Sequence, residues 1–278
     1  QQLKKLQQKV SSKANLVVPE GVTSAAQLSG EKIASFLACL PQLSRPFIAQ
    51  GFRSNLQVRI KDDASPVTRT DRQVEAAIRK VINSAFPDDG ICGEEFGELS
   101  CKNQKRYSWI IDPIDGTKAF ISGKPDFGSL VGLTDNGYPV AGLIDMPILN
   151  ETYIGYLLPG MTQKCQFNGK SCKTSLCQNL DDARIATTSP SALSSNGLAG
   201  FNRLAANSAV TNYGGDCHNY ALLAAGHIDL VMEDNLAPHD MIAVVAVMQS
   251  AGAVVTDTAG CPITLAGSTS ILAAASSQ

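Results

Sequence analysis

Carboxylates gather where apolar runs of this chain end. Glu94 and Glu95 follow Gly93, and Asp112 and Asp115 flank the turn in Asp112-Pro113-Ile114-Asp115-Gly116-Thr117, directly after Trp109-Ile110-Ile111. Asp240 lies in the first turn of a late helical pattern, and Asp71 begins an early one. A carboxylate at the end of a buried strand is costly unless a cation or hydrogen bonds compensate it. A donor set of oxygens without Cys or His suits magnesium, manganese or calcium rather than zinc. Magnesium keeps part of its water shell and shares the rest with phosphate oxygens, which points to phosphoryl chemistry. Each fragment alone also has a plainer reading. Gly-Glu-Glu is commonly a solvated turn, Asp-Pro-Ile-Asp-Gly is rich in turn formers, Thr117 can be a simple N-cap, and Asp240 can be a favourable charge at a helix start.

The elements that must position these groups are legible in part. Residues 23–52 read as helical, with Ile33, Phe36, Leu37 and Leu40 at helical spacing. Residues 71–86 form the clearest amphipathic helix, capped by Thr70 or Asp71 and followed by Pro87. A buried strand over 109–111 ends on Asp112. Strands over 127–133 and 140–144 flank Asp135-Asn136-Gly137, a hairpin signal, and 152–158 continues the meander. Asn168-Gly169 marks another turn, between Cys165 and Cys172. The last third alternates: strand 184–187, helix 216–225 closed by Gly226, strand 228–232, helix 238–251 with Pro early and Gly252 late, and strand 254–256. The first ten residues are rich in Gln and Lys and carry no readable chemistry. The pattern predicts one compact unit over 1–278. Its strand-rich α+β part, to about residue 180, carries most candidate metal ligands, and its α/β part, 181–278, carries Asp240 and the candidate substrate contacts.

Composition bounds the possibilities. The chain has 278 residues, 44% apolar and 17% charged, which is globular composition. A net charge of −2 gives no basic surface for nucleic acid or for an anionic membrane. An anionic substrate must therefore find its positive charge locally. The eight cysteines are irregularly spaced and include no Cys-x-x-Cys pair, so reduced thiols are expected. No apolar run approaches bilayer length, the run over 242–248 being the longest of interest. The start of the chain is polar and lacks a signal-peptide core. The expected location is the cytoplasm, with an organelle left open because the chain begins on Gln1.

Taken in order, Gly93-Glu94-Glu95, Trp109-Ile-Ile-Asp-Pro-Ile-Asp-Gly-Thr117 and the Asp240-led helix ending Ala251-Gly252 resemble the inositol monophosphatase family over roughly residues 61–257. The resemblance implies a layered α-β-α-β-α sandwich of the inositol monophosphatase and fructose bisphosphatase type. It implies that Glu94, Asp112 and the carbonyl of Ile114 hold a first metal, and that Asp112, Asp115 and Asp240 hold a second. Glu94 and Thr117, backed by Asp71, would position and activate a water. Amides at Gly116 and Thr117 would take phosphate oxygens. Lys61 falls in a segment the family uses as a mobile loop near a weaker metal site, and Glu233 falls at a substrate-hydroxyl contact. Two or three Mg2+ per subunit, a homodimer, lithium sensitivity and a small phosphorylated metabolite as substrate follow from the same likeness. The implied reaction is in-line attack by metal-activated water, without a covalent phosphoenzyme.

Departures from the family pattern bear on the substrate. His239-Asp240 stands where the family typically has Trp-Asp, and Asp216 stands where a small residue is usual. A carboxylate there suits a substrate ammonium group better than a neutral polyol, with Glu233 in support. The plainer reading is that Asp216 caps its helix. The runs 120–128 and 142–149 and Gly215-Asp216-Cys217 are similar to histidinol-phosphate phosphatases of this family, so histidinol phosphate is the expected substrate. Inositol monophosphate or a range of sugar phosphates is the alternative, and a binding or regulatory protein without turnover is the non-enzymatic one. No second basic pocket for a bisphosphate is evident. Of the three histidines, His218 and His239 are placed to approach the site, while His227 reads as an ordinary polar residue.

Overall fold

A computed structural model describes residues 2–54, 58–60, 66–98, 105–158 and 162–275. The chain opens with α1 (Gln2–Val17), a 3-10 turn (Ala25–Gln27), α2 (Gly30–Leu37) and α3 (Pro41–Gly51). An antiparallel pair, β1 (Val58–Ile60) and β2 (Pro66–Thr68), precedes α4 (Arg69–Ala85). Then come β3 (Gly90–Gly93), β4 (Gly97–Glu98), β5 (Tyr107–Asp115), α5 (Thr117–Ile121), β6 (Gly128–Asp135), β7 (Tyr138–Met146), β8 (Glu151–Tyr156), β9 (Lys164–Phe167) and β10 (Lys170–Ser171). The remainder is β11 (Arg184–Thr187), α6 (Ser195–Ala205), β12 (Val210–Tyr213), α7 (Cys217–Ala224), β13 (Leu230–Asp234), α8 (Pro238–Ser250), β14 (Val254–Thr256) and β15 (Ser270–Ala274).

Strands β3 to β10 form one sheet in the order β10-β9-β8-β7-β6-β5-β3-β4, antiparallel except where β3 runs parallel to β5. Strands β11 to β15 form a second sheet in the order β12-β11-β13-β15-β14. The early helices cover one face of the larger sheet, where Phe36, Phe86 and Trp109 pack ring on ring. Helices α7 and α8 bury themselves between the sheets with Leu130, Ile144, Val244, Val247 and Ile271. Helix α6 closes the outer face of the smaller sheet through Phe201, Ile185 and Met232. The result is the expected α-β-α-β-α sandwich. Every residue of β6 is buried because helices cover both faces of its sheet.

Several element boundaries differ from expectation. The region 23–52 is a 3-10 turn and two helices, because Ser29 caps α2 and Pro41 starts α3 afresh. Helix α4 begins before Asp71. Thr68 is its N-cap and Asp71 its third residue, joined in a reciprocal capping box. Strand β5 does not stop at Asp112 but continues to Asp115 through an irregularity.

A row of glycines sets how closely α8 approaches the larger sheet. Gly132, Gly142 and Gly155 are register partners on β6, β7 and β8. A Cβ on Gly142 would lie 2.2 Å from the carbonyl oxygen of Ala243, and one on Gly132 would lie 2.8 Å from the Ala243 nitrogen. On Gly155 it would meet the Cα of Val247 at 2.9 Å. Backbone therefore rests directly on helix, and α8 carries Asp240 in its first turn.

Candidate active site

The end of β5 carries the first acids. Pro113 has no amide to give the ladder, and the β5–β6 register shifts between Asp112 and Asp115. The Ile114 amide donates to Asp112 Oδ1 at 3.0 Å. Gly116 then adopts φ 83° and starts α5, a conformation that favours glycine. Thr117 is thus inside the helix rather than its cap. Its hydroxyl donates to the Ile114 carbonyl at 3.1 Å.

Two other elements bring carboxylates to the same place. Strand β3 lies parallel to β5, and the Glu94 amide donates to the Ile111 carbonyl at 3.1 Å. Buried Glu75 accepts from the Glu95 amide at 2.7 Å and so fixes that turn. At α8, the Ala237 amide donates to Asp240 Oδ2 at 2.7 Å. Ligand atoms of Asp112, Asp115 and Asp240 lie within 4.8 Å of one another, and those of Glu94, Asp112 and His239 do likewise. Asp112 is common to both groups. His239 joins Glu94 and Asp112 through the residue change that the sequence already marked, and an imidazole beside two carboxylates is a donor set that manganese or zinc accept as well as magnesium.

The electrostatics call for a cation. Burial, then Glu94, Asp115 and Asp240, push Asp112 well above the usual carboxylate range. Burial, then Asp216 and Asp240, do the same to Asp115. Asp71 is fully buried and raised chiefly by burial, and its Oδ1 has no hydrogen-bond partner. A cluster of buried carboxylates that raise one another, with the donorless Oδ1 of Asp71 near Glu94, fits a divalent cation with its bound waters.

Beside this centre lies a second acidic group. Asp216 precedes α7 with φ 41° and makes no side-chain cap bond. The capping role falls to Asp115 instead, whose Oδ2 accepts from the Cys217 amide at 2.6 Å. Burial, then Asp126, raise Asp216 to about 6, opposed by Lys118 and Lys124. A Cβ on Gly116 would sit 3.1 Å from Asp216, so glycine is needed there for space as well as for φ. Glu233, on β13, is buried, accepts from the Thr188 amide, and is raised by burial to about 7. Asp126 escaped the sequence reading. Its Oδ1 is buried without a partner, and only the Asp126-Phe127 position before β6 could have flagged it.

Other expected residues fall differently. Lys61 lies outside the described residues. His218 turns to Glu151 at 3.2 Å rather than to the carboxylate centre. A cavity of about 440 Å³ opens beside Glu94 and Glu95, lined also by Thr68, Arg59, Arg69 and Arg72. The sequence reading found no such basic lining, because the three arginines come from a strand and a helix and share no motif. Among the described residues no helix is long and apolar enough to cross a membrane.

The description of the inositol monophosphatase family matches residues 34–278. The chain belongs to that family. A chloroplastic bifunctional phosphatase IMPL2 of Arabidopsis thaliana is 40% identical over 240 residues, 85% of this chain and 68% of the relative. A histidinol-phosphatase of Chlorobaculum parvum is 34% identical over 72% of this chain and 75% of its own length. Among solved structures, an inositol monophosphatase from Zymomonas mobilis superposes with a TM-score of 0.79 at 35% identity, covering 90% of this chain and 94% of that one. A Thermotoga maritima inositol monophosphatase gives 0.75 at 26%, over 88% and 92%. As a member of the inositol monophosphatase family the chain is a phosphatase, and its carboxylate cluster can bind a metal ion.

Proposed function

We propose that this phosphatase hydrolyses histidinol phosphate to histidinol and inorganic phosphate, using Mg2+. The observation that carries the substrate choice is the pairing of the carboxylate centre with Asp216 and Asp126 beside it, acids that suit an ammonium or imidazolium group on the leaving alcohol. Similarity to named histidinol-phosphatases supports the same choice.

In this reading Glu94, Asp112 and the Ile114 carbonyl would hold one Mg2+, and Asp112, Asp115 and Asp240 would hold a second. Mg2+ held there would supply positive charge for the phosphate and lower the pKa of water. Glu94 and Thr117 would orient the attacking water, and Asp71, held by Thr68 and raised by burial, would accept its proton. Gly116 and Thr117 offer amides to phosphate oxygens. Asp216 and Glu233 hold the leaving alcohol. A homodimer and a cytoplasmic or organellar location belong to the same proposal, the Arabidopsis relative being named chloroplastic.

The test is phosphate release with Mg2+ from histidinol phosphate and from inositol 1-phosphate, for the native chain and for Asp216→Ala. Preference for histidinol phosphate is expected, and Asp216→Ala should raise KM for it by about tenfold to a hundredfold, the worth of one charged hydrogen bond. An equal effect on both substrates removes Asp216 from recognition. Preference for inositol phosphate favours the second reading, which names such as inositol-1-monophosphatase among the relatives support. No release from either, with or without EDTA, favours the binding-protein reading.

A further inference from the structure

Cys165 and Cys172 face each other across the outermost hairpin of the larger sheet. The register Phe167↔Lys170 and Gln166↔Ser171 continues to this pair, where the Cys172 amide donates to the Cys165 carbonyl at 3.1 Å. Directly opposed, hydrogen-bonded residues of an antiparallel pair keep Cα atoms about 5.5 Å apart, inside the range of about 4.4–6.8 Å that a disulfide spans. The two Sγ atoms are 3.2 Å apart. Both side chains therefore already point the same way, and closing a bond needs small χ rotations rather than backbone movement. The two sulfurs differ in access. Cys165 is buried in the core between the sheets, and Cys172 is half-buried. The hydrogen bond between the two sulfurs holds the Cys172 thiol below its ordinary range, while the same bond and burial push Cys165 up.

We propose that Cys165 and Cys172 form a reversible oxidation site that small organic disulfides, such as oxidised glutathione, convert to an intramolecular disulfide. The Cys172 thiolate attacks one sulfur of the reagent and expels the first thiolate, leaving a mixed disulfide. Cys165 gives its proton to that thiolate and attacks Cys172 Sγ, expelling the second thiolate, which takes up from solvent the proton that Cys172 released on ionising. Two protein thiols and one reagent disulfide become one protein disulfide and two reagent thiols. The new bond ties the chain where it leaves β10 for the smaller sheet, a segment anchored by the Thr174 amide on the Ala251 carbonyl and by the Ser175 hydroxyl on Asp229. It adds a crosslink to the edge of the sheet and leaves the carboxylate centre untouched, so the proposal is independent of the substrate reading.

The folded protein, reduced and then incubated with oxidised glutathione, is alkylated, denatured and digested with trypsin without reductant. Cleavage after Lys164, Lys170 and Lys173 releases Cys-Gln-Phe-Asn-Gly-Lys and Ser-Cys-Lys, which a disulfide would hold together at a mass lower by two hydrogens. The linked pair is expected to exceed every other cysteine pairing severalfold, exposed Cys261 included, to vanish on reduction, and to be absent from Cys172→Ser. The oxidised native chain should also melt above the reduced one, a shift that Cys172→Ser, substituted at a half-buried position, abolishes. Both peptides recovered alkylated, or either one linked mainly to other cysteines, overturns the proposal. So does a melting shift of equal size in Cys172→Ser.

Discussion

Asp112 is the residue on which the site converges. It is buried, it neighbours Glu94, Asp115, Asp240 and His239, and the Ile114 amide reaches back to its Oδ1. The sequence shows why an acid is there, since an apolar strand runs straight into a Pro-containing turn. Asp112→Asn keeps the shape and that hydrogen bond but removes charge from both ligand groups. We expect kcat/KM to fall by more than about a hundredfold, beyond the usual effect of losing a residue that merely orients a ligand. The metal-free variant should melt no lower than the native chain, because one source of repulsion among buried carboxylates is gone. Near-native turnover in Mg2+ would remove Asp112 from the metal centre. Asp126 and the three arginines of the neighbouring cavity were not legible in this way. Asp126 meets Asp216 only because segments far apart in sequence pack together, and the arginines share a cavity because the β1–β2 hairpin folds back beside the start of α4.

At the scale of elements, α8 decides whether the second ligand group exists. Its helical pattern, with Pro238 early and Gly252 late, was plain in the sequence, and so was Asp240 in its first turn. Its seat was not. The glycines at 132, 142 and 155 are scattered along the chain and become a row only when β6, β7 and β8 pair in register. Gly142→Ala places a methyl against the Ala243 carbonyl, where backbone on both sides leaves little room to yield. The expected loss is about 1–3 kcal/mol or more, which lowers the melting midpoint by about 2–10 °C for a chain of this size. Mg2+ affinity should fall with it, because moving α8 moves Asp240 relative to Asp112 and Asp115. An unchanged midpoint and unchanged affinity would mean that the sheet and helix do not touch as described. Short strands such as β3, whose four residues Gly-Ile-Cys-Gly carry no periodicity, were also invisible, although β3 delivers Glu94.

For the molecule as a whole, the site is a store of unfavourable charge that a cation relieves. Burial raises Asp216 from 3.8 to about 6 and Glu233 from 4.5 to about 7. Each has a folded-state value above its unfolded one. The stability each lends is therefore complete below its ordinary value and is lost as pH climbs through the raised value. Asp112, Asp115 and Asp71 are shifted in the same direction. In EDTA the melting midpoint should accordingly be higher at about pH 5 than at about pH 8. Added Mg2+ should raise it more at the higher pH, where the ligands are ionised. A metal-free midpoint that rises across this interval would contradict the burial argument.

Ordered motifs in the sequence were enough to show the resemblance to the family, which in turn implied the layered fold and the roles of most of the acids. The local features rest on short-range rules: an apolar strand that ends on carboxylates, a proline turn, an amphipathic stripe, a helix that starts on proline and stops at glycine. Tertiary structure alone decided which acids share a cavity, that His239 stands beside Glu94 and Asp112, that Asp216 leaves its helix uncapped while Asp115 takes the role, and that two cysteines oppose each other across an edge hairpin. Such juxtapositions depend on strand register and on how closely a helix can sit on a sheet. Both are set by packing between segments far apart in sequence, where no local pattern reaches.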